Sequence, residues 1–186
     1  MKLVVAITGA SGVIYAKRLL EVLKDANIRV SLIISTTGEK VIQKELHVSK
    51  REIENLASEN FGAYNIEAPP ASGSVLHDGM IIIPCTMATL AAIASGFSFN
   101  LITRAADVML KEARPLVLVP RETPLSQVHL ENMLRLKKMG VHIVPAMPAF
   151  YNAPQKMDDL IDFIVGRVLD ILKIKHSIYK RYLEES

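Results

Sequence analysis

Short apolar strands alternate with longer helical segments along the chain, and this alternation constrains the fold more than any other feature. Runs of valine, isoleucine and leucine predict five strands, near residues 3–8, 29–34, 79–83, 115–119 and 141–144. Helical periodicity predicts helices near residues 12–25, 38–47, 50–60, 87–95, 100–113, 126–138 and 156–172. Strands without polar alternation, separated by helices, indicate a parallel sheet covered on both faces. The sequence therefore predicts a three-layer α/β/α fold.

Length and composition allow one domain and argue against several classes of protein. The chain has 186 residues, of which 50% are hydrophobic, and we expect a single domain over residues 1–186 with a C-terminal tail at residues 173–186. One cysteine and five scattered histidines predict a reduced, cytoplasmic protein with no disulfide framework and no metal. A net charge of +3 without a basic block argues against nucleic acid, and no apolar run is long enough to predict membrane association.

A glycine-serine turn joins the first predicted strand to the first predicted helix. In TGASG, Gly9 permits a tight turn, Ser11 offers a hydroxyl, and the first helical amides would point unpaired above the strand. Because a helix N-terminus attracts anions, this turn predicts a site for a group such as phosphate. The turn lacks the full dinucleotide fingerprint and the P-loop lysine, so an ordinary strand-to-helix turn remains an alternative.

Two further strands end in polar residues. Ser35 and two threonines follow the second strand, and the third runs into PCTMAT. Carboxyl ends of parallel strands meet at one edge of a sheet, so the three polar ends predict a ligand pocket there. Cys85, at one of these ends, is predicted to be a small buried hydrophobe rather than a nucleophile. The loop APPASGS, residues 68–74, is the best candidate for a mobile or ligand-covering segment.

Longer motifs make the chain resemble the flavin prenyltransferase family. These motifs are TGASG, PPASGS, NLITRAADVMLKEARPLVLVPRETP, HLENM and PAFYNAPQ, and the resemblance runs from about residue 3 to residue 172. It implies a flavodoxin-like or Rossmann-like subunit that binds FMN and assembles as a homododecamer. It also implies transfer of a dimethylallyl group from dimethylallyl monophosphate to N5 and C6 of reduced FMN, itself a substrate. The prenylated FMN would then serve a partner decarboxylase of the ubiquinone-pathway type.

The resemblance also assigns roles to residues of this chain. The FMN-binding positions would be Gly9, Ala10, Ser11, Ser35, Thr86, Met87, Ala88, Thr89 and Arg104. The dimethylallyl phosphate would be bound by Ser72, Lys111, Arg121, Tyr151 and Arg167. The catalytic residues would be Ser11, Glu45, Lys111, Arg121 and Glu122, with Glu122 exchanging protons with the phosphate and the flavin adduct. Cations and a tyrosine hydroxyl suit phosphate recognition, and a carboxylate suits proton transfer. An ordinary exposed glutamate is the alternative for Glu45, and a surface ion pair is the alternative for Arg104.

Two other functions remain open on sequence alone. An FMN-dependent cysteine decarboxylase would share the first strand and turn, but that group carries a catalytic histidine after the second strand and a PASANT-type loop. Here the loop is PPASGS, and His47 does not lie in the expected motif. A non-catalytic flavin carrier would explain the turn and Arg104 but would leave Lys111 and Glu122 without a role. His129 is predicted to be structural or interfacial, and the remaining histidines are predicted to be surface residues: His47, His77, His142 and His176.

Overall fold

A six-stranded parallel sheet forms the centre of the protein. The computed structural model describes residues 1–181, and its strand order across the sheet is β3, β2, β1, β4, β5, β6, with every neighbouring pair parallel. The strands are β1 Lys2–Ile7, β2 Arg29–Ile34, β3 Glu59–Gly62, β4 Gly79–Cys85, β5 Leu116–Pro120 and β6 His142–Ile143. The helices are α1 Val13–Asp25, α2 Thr36–Leu46, α3 Lys50–Glu54, α4 Met87–Ser95, α5 Leu101–Lys111, α6 Gln127–Lys138 and α7 Met157–Ile171, and Pro69–Ala71 form a 3₁₀ turn.

The core lies in two layers, one on each face of the sheet. In β1, Leu3 and Val5 pack with α1 and α7, whereas the alternating Val4 and Ala6 pack with α4 and α5. All four residues are fully buried. Because successive strand residues point to opposite faces, a strand that is apolar throughout requires helices on both sides. The predicted three-layer α/β/α fold is confirmed.

The helix predicted over residues 50–60 is wrong in its second half. A capping box at Ser49 and Glu52 starts α3, but the helix ends at Glu54. Residues Glu59–Gly62 form a sixth strand that pairs with β2 at the edge of the sheet. This strand has only four residues, ENFG, of types that are depleted in strands apart from the phenylalanine, so neither periodicity nor propensity indicates it. Backbone pairing with β2 determines its conformation instead.

The chain after α7 folds back onto that helix. His176 and Tyr179 both hydrogen-bond to Asp170 of α7, so the part of the predicted tail up to Arg181 packs on its own subunit. Residues 182–186 of the predicted tail lie outside the described residues. Within residues 1–181, no helix combines the length and apolar character needed to cross a membrane.

Candidate active site

The polar ends of β1, β2 and β4 lie side by side at the carboxyl edge of the sheet. Ser35 begins α2, where its Oγ accepts a hydrogen bond from the Gly38 amide at 3.0 Å. Thr86 begins α4 in the same way, with its Oγ1 3.1 Å from the Thr89 amide. The Thr8 hydroxyl joins β1 to β4, because it donates to the Pro84 carbonyl and accepts from the Thr86 amide, each at 2.8 Å. These caps fix the loop ends where the sequence predicts a ligand pocket.

Met87, at the start of α4, packs mainly in the core. The residue is 7% exposed and belongs to the core layer beneath α4, so little of its side chain is accessible to a ligand. Ala88, one residue later, is exposed. The flavin-binding role of residues 86–89 stays a prediction, for which the turn offers its amides and hydroxyls.

The side chain of Glu45 caps the amino end of α1. One of its carboxylate oxygens accepts hydrogen bonds from the Gly12 amide at 2.9 Å and from the Val13 amide at 3.3 Å. A carboxylate is favourable there because the amino end of a helix carries partial positive charge. Two of the amides that the sequence predicts for an anion are thus bonded to Glu45. Glu45 is exposed, but its side chain joins α2 to the turn before α1, and its catalytic role stays a prediction.

Arg121 and Glu122 extend the carboxyl edge beyond β5. The Arg121 Nε donates to the Ser11 carbonyl at 3.3 Å, which places this guanidinium beside the TGASG turn. Both side chains are exposed. A cavity of about 510 Å³ lies next to them, with apolar walls that include Leu125, Met133 and Met147. This part of the site combines a cation, a carboxylate and an apolar cavity.

A second group of predicted site residues lies along α5. The Arg104 Nε donates to the Ala71 carbonyl at 3.2 Å, and its Nη1 lies 2.8 Å from Asp107. Lys111, at the end of the helix, lies 3.5 Å from Glu112. A Cβ added at Gly73 would lie 3.2 Å from the Lys111 Nζ, so the loop that carries Ser72 contacts this lysine.

Arg114 holds the loop that carries Ser72. Its two terminal nitrogens donate to the Gly73 carbonyl at 2.7 Å and to the Val75 carbonyl at 2.9 Å, and its side chain is only 14% exposed. Arginines thus bind two carbonyls of the loop at residues 68–74, those of Ala71 and Gly73, and its role as a mobile or ligand-covering segment stays a prediction. Sequence analysis did not single out Arg114, since nothing in KEARP distinguishes a buried arginine from an exposed one.

A third group lies on α7. The Arg167 Nη1 lies 3.5 Å from Asp170, and Tyr179 and Asp170 both raise the pKa of the Arg167 guanidinium. The ring of Tyr151 packs edge-on against Phe163, with the ring centroids 6.0 Å apart. Tyr151 is 55% exposed. Arg167 and Tyr151 thus share one partly exposed surface of the subunit.

One subunit does not bring the three cations of the predicted phosphate site together. Lys111 precedes β5 and Arg121 follows it, so the five-residue strand separates them by about 16 Å. Arg167 lies ten residues beyond the start of α7, which is about 15 Å along the helix axis. The far end of α7 approaches the amino end of the sheet, because the Leu172 side chain faces Gly79 at the start of β4. The predicted set is therefore divided among three surfaces.

Other titratable groups lie away from these surfaces. His77 is 3% exposed and the His176 side chain 2% exposed, so the prediction that both are surface residues is wrong. Burial lowers the pKa of His77 and raises the pKa of Cys85, as expected for packed side chains. His129 has the predicted structural role, since it forms a capping box with Ser126 at the start of α6. Within the described part of the chain, no group of three or more histidine, cysteine, aspartate or glutamate side chains could hold a metal ion.

The turn at Gly9 has no room for a side chain. A Cβ added there would lie 2.5 Å from the Cβ and Oγ1 of Thr37, so Gly9→Ala must move the turn away from α2. If the turn binds FMN as the family resemblance implies, this variant should lose most of it, measured as the flavin-to-protein absorbance ratio after gel filtration. Gly62→Ala is the matched control, because a Cβ at Gly62 meets nothing within 4 Å, and it should retain flavin. Equal flavin content in the two variants would contradict a flavin site at this turn.

Comparison with known proteins places the chain among flavin-binding proteins. The family model described as Flavoprotein matches residues 1–169. The chain is 52% identical to the flavin prenyltransferase UbiX of Methanocaldococcus jannaschii over 182 residues, which is 98% of each chain. It is 47% identical to the mitochondrial flavin prenyltransferase PAD1 of Saccharomyces cerevisiae, covering 97% of this chain and 75% of that protein.

Solved structures agree with these sequence comparisons. The dodecameric, FMN-dependent UbiX-like decarboxylase of Escherichia coli O157:H7 superposes with a TM-score of 0.97 at 46% identity, over 99% of this chain and 100% of that chain. AnUbiX (PadA1) in complex with FMN and dimethylallyl pyrophosphate also gives a TM-score of 0.97, at 43% identity over 100% and 98% of the two chains. The peptidyl-cysteine decarboxylase EpiD gives a TM-score of 0.65 at 17% identity, which shows a shared fold alone.

Proposed function

The chain belongs to the Flavoprotein family and, within it, to the flavin prenyltransferases, and from this premise we propose that it transfers a dimethylallyl group from dimethylallyl monophosphate to reduced FMN. The prenylated FMN would pass to a decarboxylase that uses it, and we place the protein in the cytoplasm. The observation that carries the proposal is the position of Arg121 and Glu122, which lie beside the TGASG turn and an apolar cavity. A phosphate ester of an apolar chain requires that combination of charge and apolar surface.

The protein has three tasks in this reaction: it stabilises the departing phosphate, transfers protons and excludes water. Reduced FMN supplies the nucleophilic N5 when bound, and a new bond from N5 to the allylic carbon forms as the carbon–oxygen bond to phosphate breaks. The departing phosphate takes the electron pair, so cations such as Arg121 stabilise it. In this proposal Glu122 gives a proton to the departing phosphate. The alkene of the attached group then takes a proton at its CH carbon, its tertiary carbon bonds to C6 and closes the fourth ring, and Glu122 takes the proton that C6 loses. Leu125 and Met133 in the cavity wall would keep water from the developing cation.

The three separated groups of site residues support a site built between subunits. We propose that this chain forms a homo-oligomer, a dodecamer like its Escherichia coli relative, in which α5 and α7 of neighbouring copies complete the carboxyl-edge site. The lone subunit exposes a stacked pair, Phe97 and Phe99, with ring centroids 5.6 Å apart. It also exposes large apolar side chains on α6 and in the loop after β6: Val128, Leu130, Leu134, Met147 and Phe150. Apolar surface of this extent is typical of protein–protein contacts.

An assay with both substrates tests the proposed transfer. Purified protein is incubated without oxygen with reduced FMN and dimethylallyl monophosphate, and the released flavin is examined by mass spectrometry. We expect a mass gain that corresponds to one dimethylallyl group less one hydrogen, together with release of inorganic phosphate. Bound FMN without a mass gain would support the flavin carrier instead.

Cysteine decarboxylation is a weaker candidate because the histidine it needs is misplaced. His47 caps the far end of α2 and is exposed. The eleven residues of α2 separate it by about 16 Å from Ser35 and the carboxyl edge. A peptide with a C-terminal cysteine should therefore lose no carbon dioxide when incubated with the FMN-loaded protein. Its decarboxylation would overturn the assignment.

Arg104→Ala is expected to weaken flavin retention before it affects any other property. The substitution removes a cation and the hydrogen bond to the Ala71 carbonyl, so both the proposed flavin contact and the loop before Ser72 are affected. We expect the dissociation constant for FMN, measured by fluorescence quenching, to rise by about tenfold or more. Arg135→Ala, an exposed position in the last turn of α6, is the control and should bind FMN normally. Normal flavin binding by Arg104→Ala would remove Arg104 from the site.

A further inference from the structure

Asp170 anchors the chain that follows α7. Its two carboxylate oxygens accept hydrogen bonds from the Tyr179 hydroxyl at 2.7 Å, from an Arg181 nitrogen at 2.6 Å and from His176 Nε2 at 3.2 Å. Burial alone would raise the pKa of Asp170, but the hydrogen bonds from Arg181 and Tyr179 outweigh it and hold the pKa at about 2. The carboxylate is therefore charged at neutral pH, and it binds three side chains from a segment of only six residues.

The same segment supports two residues of the proposed phosphate site. The Tyr179 ring lies directly on the helix backbone at Gly166, where an added Cβ would collide with it. It also packs against Phe163, with ring centroids 5.5 Å apart, and Phe163 in turn packs against Tyr151. On its other side, Tyr179 joins Asp170 in stabilising the charged form of Arg167.

We propose that Asp170 and Tyr179 are positioning residues that hold Arg167 and Tyr151 in the orientation that binds the phosphate of the dimethylallyl substrate. This inference rests on the proposed function. An arginine that is half exposed loses rotamer entropy when it binds a ligand, and a fixed partner reduces that loss. Asp170 lies 3.5 Å from one terminal nitrogen of Arg167, and Tyr179 hydrogen-bonds to the same guanidinium, which has five N–H donors and so retains donors for two phosphate oxygens.

Neither residue needs to touch the substrate in this arrangement. Asp170 itself would repel a phosphate, but Arg181 compensates its charge and covers it on the side of the Tyr179 ring, with the guanidinium carbon 5.4 Å from the ring centroid. Their effect would therefore be on the affinity for the phosphate substrate, and the chemical step would be unchanged. A change in substrate affinity at constant kcat distinguishes a positioning role from a catalytic role, and an unchanged FMN content distinguishes it from a purely structural role.

Calorimetry of the FMN-loaded protein with dimethylallyl monophosphate tests the inference. We expect Asp170→Asn to raise the dissociation constant of the monophosphate by about tenfold and its KM by a similar factor, with the FMN content and kcat unchanged. Asp158→Asn is the matched control, because Asp158 is an exposed aspartate in the first turn of the same helix and should bind like wild type. An unchanged dissociation constant in Asp170→Asn, or an equal loss of FMN, would overturn the positioning role.

A second variant distinguishes loss of the Asp170 contact from a folding defect. Tyr179→Phe removes the hydroxyl that bonds Asp170 but keeps the ring on Gly166, so the fold should be retained while the monophosphate binds several-fold more weakly. The effects of the two variants should not add, because both break the same contact. Additive effects would overturn the inference. If wild type binds the monophosphate but forms no flavin adduct, the proposed transfer fails, whereas the positioning role stands.

Discussion

Glu122→Gln is expected to retain FMN and to form the prenylated flavin at least ~100-fold more slowly than wild type, the range typical of a lost general acid–base group. Glutamine preserves the shape of the side chain and its contact with the following amide, where the Thr123 N–H lies 3.2 Å from the Glu122 oxygen. It cannot accept or release the proton that the phosphate and the flavin ring require. The loss should therefore lie in kcat, measured as single-turnover formation of the flavin adduct.

A glutamate remote from the site provides the control for this substitution. Glu54 lies on α3 near the sheet edge and pairs with Lys50 at 3.6 Å, so Glu54→Gln makes the same chemical change away from the flavin. It should leave both FMN content and turnover at wild-type values. Normal turnover in Glu122→Gln would remove Glu122 from the mechanism, and loss of FMN from this variant would assign it to flavin binding instead.

The fold could be predicted from the sequence because the same apolar pattern is repeated in every central strand. Each of those strands is apolar on both faces, and only a sheet covered by two helical layers buries such a pattern. β3 escaped prediction because an edge strand of four residues is specified by its pairing with β2 rather than by its own side chains. The hydrophobic pattern of a segment predicts its secondary structure only where the segment buries its own side chains.

The site was predictable as a set of residue types but not as a set of positions. The carboxyl-edge turn at Gly9 followed from the order of strand and helix, and so did its proximity to Ser35. The link from Glu45 to the Gly12 amide did not, because it joins side chain and backbone across 33 residues. Nor could the sequence indicate that Lys111 and Arg121 lie at opposite ends of β5, since residues close along a chain can belong to different surfaces. Asp170 was missed for a related reason, since its partners follow it in a segment without helical or strand periodicity.

Mixed oligomers test the proposal that each active site is shared between subunits. Lys111→Ala and Glu122→Gln subunits should each be inactive alone, because one lacks the lysine of α5 and the other the acid at the carboxyl edge. When the two are co-expressed with different tags and purified through both, a site shared by two neighbours receives an intact lysine and an intact glutamate in about one quarter of cases. We therefore expect adduct formation to recover from near zero to about a quarter of the wild-type rate, since random assembly of a closed oligomer mixes the copies.

The matched control combines two defects from the same surface. Arg121→Ala and Glu122→Gln subunits both lack a carboxyl-edge group, so every site in their mixed oligomer is defective and no activity should return. Recovery in the Lys111 mixture but not in this one requires that Lys111 act on a neighbour's site. If the Lys111 mixture stays inactive while both subunits are present, the lysine must serve its own subunit. That result would contradict the separation of about 16 Å that β5 imposes between Lys111 and Arg121, because a lysine side chain cannot span it within a rigid sheet.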